Sequence, residues 1–423
     1  PHGLSFGISI SMTSISLPCW KGSQMSRFQL PLFNTIGELE REDAMDAMDA
    51  PLSAFLAGDP EGGRYVQELE NNWCNTFGCT HAIACNSATS GLLAACHAIG
   101  VSNETALISP YTMSATAAAP AFLGADLEFA DIDENYCLDP NQVAKHFTGF
   151  SDPKVVIATN LFGHPAQLKL LAQLAHANGA YLIEDNAQAP FAMEGGSYAG
   201  TVGDIGVFSL NVHKHIQSGE GGVVVTDNDE FAHAIRLFIN HGEMAGATVG
   251  LNLRMTEVTA AIACAQLSRG KKIVQSRIDL AESLIRGLID NPLVKIRPSR
   301  NGCKHVYYVL PMEINPNVSR DWVVKALAEE GVPLVPGYVA PLYWLPAFKE
   351  FAPKHGCPIT EKLHKESLAY FEICAYDPTD AQVKQIIDAF ARVNDRAQKS
   401  FTMQTDLPAE RWYGMSPSKS WLS

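Results

Sequence analysis

Between about residues 65 and 230, short apolar runs alternate with segments whose apolar residues recur at helical spacing. The candidate strands are HAIAC (81–85), TALIS (105–109), LEFADI (127–132), KVVIATNLF (154–162), AYLIED (180–185), DIGVFSL (204–210) and GGVVVTD (221–227). Candidate helices between them include SGLLAACHAIG, AQLKLLAQLAHANG and DEFAHAIRLFINHG, with Asn178-Gly179 and His241-Gly242 as stop signals. A strand followed by a helix, repeated, predicts βα units in a mixed or parallel sheet.

Beyond this stretch the pattern changes. Residues 255–290 read as mostly helical, HVYYVLPMEI (305–314) as a strand, and SRDWVVKALAEEG as a helix capped by Ser319. A Pro- and aromatic-rich run, 332–348, precedes a last helix capped by Thr379. The expected organisation is an N-terminal extension (1–30), a large α/β domain (31–280), a smaller α+β domain (281–400) and a tail (401–423). A chain of 423 residues can bury the cores of two such domains.

Composition limits the partners. A net charge of −14 is a poor match for a phosphate backbone or an anionic membrane, so neither nucleic acid nor membrane is expected. None of the ten cysteines forms a CxxC pair or a zinc-ligand spacing, so no metal site is expected. Cys74 and Cys79 are the one close pair and read as unpaired core thiols, as in a reducing compartment. The first twenty residues have no basic n-region and no evident cleavage site, so a cytoplasmic protein is expected.

Three segments carry chemistry. In FSLNVHKHIQSGEGG (208–222) a strand ends at Ser209, Lys214 sits in a polar loop, and a glycine turn leads back to the sheet. Most loop lysines are solvated, but one held at a strand end and shielded from water can lose its proton and attack a carbonyl. In AYLIEDNAQAP a strand delivers Glu184 and Asp185 to its carboxyl end, where open α/β sheets place ligands. Such a carboxylate can keep a pyridine nitrogen protonated, with Gln188 three residues on; its alternative reading is a helix cap. In ACNSATSGL small residues open a helix, and the amides near Ala88 and Thr89 form a ready phosphate site.

Together with GRYVQELENNW, SPYTMSATAAA, FADIDENYCLDP, NLFGHPAQL and GLNLRMTEVTAAIACAQL, all in order, these segments resemble the DegT/DnrJ/EryC1/StrS family of sugar aminotransferases. The resemblance runs from about residue 30 to about 390. It implies a three-layer α/β/α large domain of the pyridoxal-phosphate (PLP) fold type I. It further implies PLP as cofactor, with pyridoxamine 5'-phosphate as its intermediate form, and Lys214 as Schiff-base lysine and proton shuttle. By the same likeness, Asp185 pairs with the ring nitrogen and Gln188 approaches the phenolic oxygen. Ser209, Thr89 and the Ala88 amide hold the phosphate, and Asn252 reaches the cofactor of a neighbouring subunit, so a homodimer with composite sites is implied. Where relatives stack an aromatic ring on the cofactor, this chain has Met113, whose thioether can still cover a π face. His164, His305 and Tyr338 lie in segments that approach such sites and read first as structural, second as substrate contacts.

The implied reaction moves an amino group from glutamate or glutamine to a ketosugar, with a nucleotide-linked keto-deoxysugar or a cyclic ketone such as a keto-inositol as acceptor. Relatives with His at the lysine position are dehydratases. Here the lysine is present, which favours transfer and leaves elimination open as the second reading. A non-catalytic, cofactor-binding role is the third, and intact Lys214, Asp185 and Ser209 speak against it.

Overall fold

A computed structural model describes residues 29–53, 61–149, 152–242 and 248–404. The extension up to residue 28, with Cys19, and the tail beyond 404 lie outside the described residues.

Seven strands form the main sheet: β1 (His81–Cys85), β2 (Thr105–Ile108), β3 (Asp126–Phe129), β4 (Val155–Thr159), β5 (Tyr181–Asp185), β6 (Ile205–Ser209) and β7 (Gly222–Thr226). Their spatial order is β1-β7-β6-β5-β4-β2-β3. Strands β3, β2, β4, β5 and β6 run parallel, and β7 runs antiparallel to β6 and β1. All seven expected strands are therefore present, within a few residues of their sequence limits.

The sheet separates two cores by simple alternation. Ala82, Leu107, Val156, Leu182, Phe208 and Val223 face one core; Ile83, Ile108, Ile157, Ile183, Val207 and Val224 face the other. Strands buried on both faces read as unbroken apolar runs, which is how VVIAT and GVVVT appear in the sequence. On the second face lie helices α1 (Ala88–Ile99), α2 (Ser114–Phe122) and α3 (Asp229–Ile239).

The long helix α4 (Glu257–Leu288) begins against the first core and ends in a third. That third core is built on the strands β8 (Val294–Lys295), β9 (Leu310–Ile314), β10 (Leu334–Pro336) and β11 (Leu368–Phe371), in order β8-β9-β11-β10, with the final helix α5 (Asp380–Gln404). Leu30 also belongs to it. Helix α4 passes from the first core to the third near residue 280. Ser319 and Thr379 cap their helices through Trp322 N–H and Gln382 N–H.

One expected strand is shorter than its sequence pattern. HVYYVLPMEI gives strand only from Leu310, because Tyr307 takes a left-handed backbone (φ 52°) that breaks the extended run. The break turns the segment 305–308 toward the large domain, where Val306 N–H and Tyr308 N–H bond to the carbonyls of Gly163 and Phe162. The nine described cysteines are free thiols, Cys74 and Cys79 included.

Candidate active site

Lys214 sits in a loop that is tied to itself. Leu210 N–H bonds to Gly221 O, Val212 N–H to Gly219 O, Ser218 N–H to Leu210 O, and Lys214 N–H closes a turn on Asn211 O at 2.9 Å. Gly219, at φ 85°, supplies the left-handed step that returns the chain into β7. The loop holds the amine 4.4 Å from the centroid of the Tyr308 ring. Burial lowers the Lys214 amine to about 8, against the pull of Asp185.

Asp185 ends β5, in register with Thr159 of β4 and Val207 of β6. Successive strand residues face opposite ways, so Glu184 and Asp185 divide. Glu184 is buried in a turn and accepts from the amides of Gly200, Val202 and Gly203 at 2.6, 2.7 and 2.7 Å. It is therefore structural. Asp185 faces the lysine side. It accepts from the Thr116 hydroxyl at 2.6 Å and from Ala187 N–H at 3.2 Å. The Thr112 hydroxyl lies 2.9 Å from that of Thr116 and 3.0 Å from that of Thr159, completing a buried relay behind the carboxylate. Burial raises the Asp185 carboxyl; Thr116, Ala187 and Lys214 draw it back down.

The third component is the start of α1. Its cap Ser87 accepts from Ser90 N–H, while the amides of Ala88 and Thr89 precede any intrahelical acceptor. Two glycines allow the close approach. A Cβ on Gly222 would lie 2.6 Å from Ala88 N, and one on Gly91 2.9 Å from Val207 Cγ1 and Val224 Cγ2. Ser209, opposite Gly222 in the sheet, stands beside this helix start.

These parts share one cavity of about 330 Å³, lined by Ala88, Thr89, Met113, Asp185, Gln188, Ser209, Lys214, Tyr308 and Tyr338 among others. Small-molecule sites start at about this size. Gln188 is held at both ends: its Oε1 accepts from Phe162 N–H at 2.8 Å, and its Nε2 donates to Tyr338 Oη at 2.7 Å. Met113 is half exposed at the rim.

His164, His305 and Asn252 do not line this cavity; the first two fit their first reading as structural, and the third was expected at the neighbouring subunit's site. His164 is buried with both ring nitrogens engaged, Nδ1 at Pro165 O and Nε2 accepting from Arg300 N–H. Burial lowers its imidazole to about 4. His305 accepts from Tyr307 N–H and stacks on that ring at 3.8 Å. Both line a separate crevice with Arg297 rather than the lysine cavity. Asn252 is exposed, accepts from Arg254 Nε at 3.0 Å, and does not line this cavity. Thr112, Thr116, Thr159 and Tyr308 were not singled out from sequence. Only the SPYTMSATAAA match hinted at the first two.

A sequence model described as the DegT/DnrJ/EryC1/StrS aminotransferase family matches residues 49–391. The chain belongs to that family. A relative from Micromonospora megalomicea subsp. nigra, a dTDP-3-amino-3,4,6-trideoxy-alpha-D-glucose transaminase, is 29% identical over 82% of this chain and 96% of its own length. A GDP-perosamine synthase from Vibrio cholerae is 29% identical over 77% of the chain and 89% of its own. The crystal structure of DesI in the presence of its TDP-sugar product superposes with a TM-score of 0.78 at 26% identity. It covers 90% of this chain and 97% of that one. DegT-family aminotransferases have the mixed α/β architecture described above, and this member is a transaminase by family. Among the described residues, no helix is long and apolar enough to cross a membrane, and no cluster of His, Cys, Asp and Glu could hold a metal ion.

Proposed function

We propose that this chain transfers an amino group from L-glutamate or L-glutamine to the ketone of a nucleotide-linked keto-deoxysugar, with PLP as cofactor. The observation that carries the reading is one cavity in which the Lys214 amine, the Asp185 carboxylate and the start of α1 all meet. The residues fit the cofactor's three handles. The helix start, cradled by Gly222, suits its phosphate; Asp185 suits a ring cation, since its charged neighbour is Lys214; the lysine suits its carbonyl. Bound there, PLP supplies an electrophilic carbonyl and a ring that withdraws electrons from the donor carbon.

The protein's share is positioning and proton movement. With an amine held near 8, Lys214 has an appreciable neutral fraction at working pH and can accept the donor Cα proton, then return it. Such acid–base steps contribute on the order of a hundred- to ten-thousandfold. Ser209 and the amides of Ala88 and Thr89 hold the phosphate, Asp185 the ring nitrogen, Gln188 with Tyr338 the phenolic edge, and Met113 one ring face. Asn252 acts in the neighbouring subunit, so the working unit is a homodimer with composite sites. The sugar acceptor is supported by relatives that aminate dTDP- and GDP-linked sugars.

The test supplies PLP, L-glutamate and a panel of nucleotide-linked ketosugars, and follows products by mass. Amino-sugar and 2-oxoglutarate should appear together and vanish in Lys214→Ala. Ketosugar consumed without 2-oxoglutarate would replace transfer with elimination.

A further inference from the structure

Resting on the aminotransfer proposed above, we propose that Tyr308 is a positioning residue that holds the Lys214 amine against its ring whenever that amine is not bonded to the cofactor.

The argument starts from geometry. The Lys214 ammonium lies 4.4 Å from the centroid of the Tyr308 ring, inside the roughly 6 Å range of a cation–π contact. The titratable and charged groups that face the amine are Asp185 on β5, Cys374 just past β11, His213, His215 and Glu220 of its own loop, and Tyr338 across the cavity. Asp185 is already engaged by Thr116 and Ala187. Cys374 is a buried thiol that burial raises to about 12, so it brings no charge at working pH. Tyr308 adds the face of an aromatic ring, 4.4 Å from the amine, to the attraction of these carboxylates.

The ring is fixed rather than floating. Tyr308 N–H bonds to Phe162 O at 2.8 Å, and Tyr308 O accepts from Cys374 N–H at 3.4 Å. The left-handed backbone of Tyr307 brings the segment in, and Gly163 makes room: a Cβ there would lie 2.8 Å from Tyr308 N and 2.9 Å from Tyr307 N. Two departures from regular backbone thus serve to set one ring beside one amine. A flexible four-carbon side chain released in mid-reaction would otherwise sample many rotamers; the ring restricts it to the side from which it must move a proton.

The experiment compares Tyr308→Phe, which keeps the π face, with Tyr308→Leu, which removes it. In the full-length chain freed of cofactor, the pH dependence of Lys214 modification by trinitrobenzenesulfonate, located by peptide mass, reports proton binding by the amine. Tyr308→Leu should weaken that binding by about two- to thirtyfold, the range expected for a cation–π contact, and Tyr308→Phe should leave it within twofold. In the holoenzyme, Tyr308→Leu should lower kcat with KM little changed and enlarge the isotope effect with Cα-deuterated glutamate, while Tyr308→Phe restores both. If the leucine variant does not fold, Tyr308→Met gives the same comparison. Leu and Phe variants that behave alike, or tighter proton binding in the leucine variant, would overturn the assignment. Absence of transfer in the wild type would sink the aminotransfer reading alone, because the labelling readout needs no turnover.

Discussion

At the scale of single residues, the site stores an electrostatic penalty. Lys214 is held near 8, while a free lysine titrates at about 10.4, so the unfolded chain binds its proton more tightly than the folded one. Below about pH 8 both states carry the ammonium and the cofactor-free fold bears the whole penalty. Between about 8 and about 10.4 the penalty fades, and above that both states are neutral. Lys214→Met should therefore raise the stability of the cofactor-free protein at pH 7 by on the order of 1–3 kcal/mol, one pKa unit being worth about 1.4 kcal/mol. The gain should disappear near pH 10.5. Urea titrations at the two pH values check this; an equal gain at both would assign it to packing instead. Destabilisation of this kind is expected where a fold keeps an amine reactive. The same scale separates neighbours in sequence. Glu184 and Asp185 are chemically alike, and the strand alternation alone makes one a structural acceptor of three amides and the other a cavity carboxylate.

At the scale of elements, the site depends on how closely α1 approaches β6 and β7. Gly91 and Gly222 stand where a Cβ would strike, respectively, two valines of the sheet and the backbone at the start of the helix. Gly222 does not have a positive φ, so alanine there would test the approach without backbone strain. Gly222→Ala should cost about 1–3 kcal/mol through overpacking. It should also loosen PLP more than it loosens the fold, since the displaced atoms are those of the proposed phosphate site. Denaturant midpoints and PLP retained after gel filtration measure the two effects separately. Retention unchanged beside a clear loss of stability would remove the α1 start from the phosphate site.

At the scale of the whole molecule, the cavity takes walls from both halves of the chain, Asp185 and Lys214 from one and Tyr308 and Tyr338 from the other. Met113 of the cavity lining and Val212 of the lysine loop are each 53% exposed, and Leu251, beside Asn252, is 39% exposed. Side chains of this kind suit coverage by a second copy. If Asn252 works in the neighbouring subunit, hybrids of Lys214→Ala and Asn252→Ala subunits contain one site with both residues intact. They should regain about half of the per-dimer activity expected from independent sites. Hybrids no more active than the Asn252→Ala homodimer would place that residue's action within its own chain. Much of this architecture is legible in sequence. The strands announce themselves because burial on both faces requires apolar runs. Lys214 and Asp185 could be picked out because each stands at or just beyond a strand end, and the family resemblance added their roles and that of Ser209. Segments far apart in sequence meet only when the chain packs. Tyr308, in a segment that reads as ordinary strand, reaches Lys214 because Tyr307 and Gly163 bend the backbone, and Thr112 and Thr159 join Asp185 only through the sheet and α2. His164 and His305 had the chemistry of site residues, but packing engaged both ring nitrogens of the first and stacked the second on Tyr307. Local patterning determined the layers and set Lys214 and Asp185 each at a strand end; the sheet brought the two together. Long-range packing decided which other side chains share their cavity, because burial and hydrogen-bond partners are properties of the assembled fold and of no single segment.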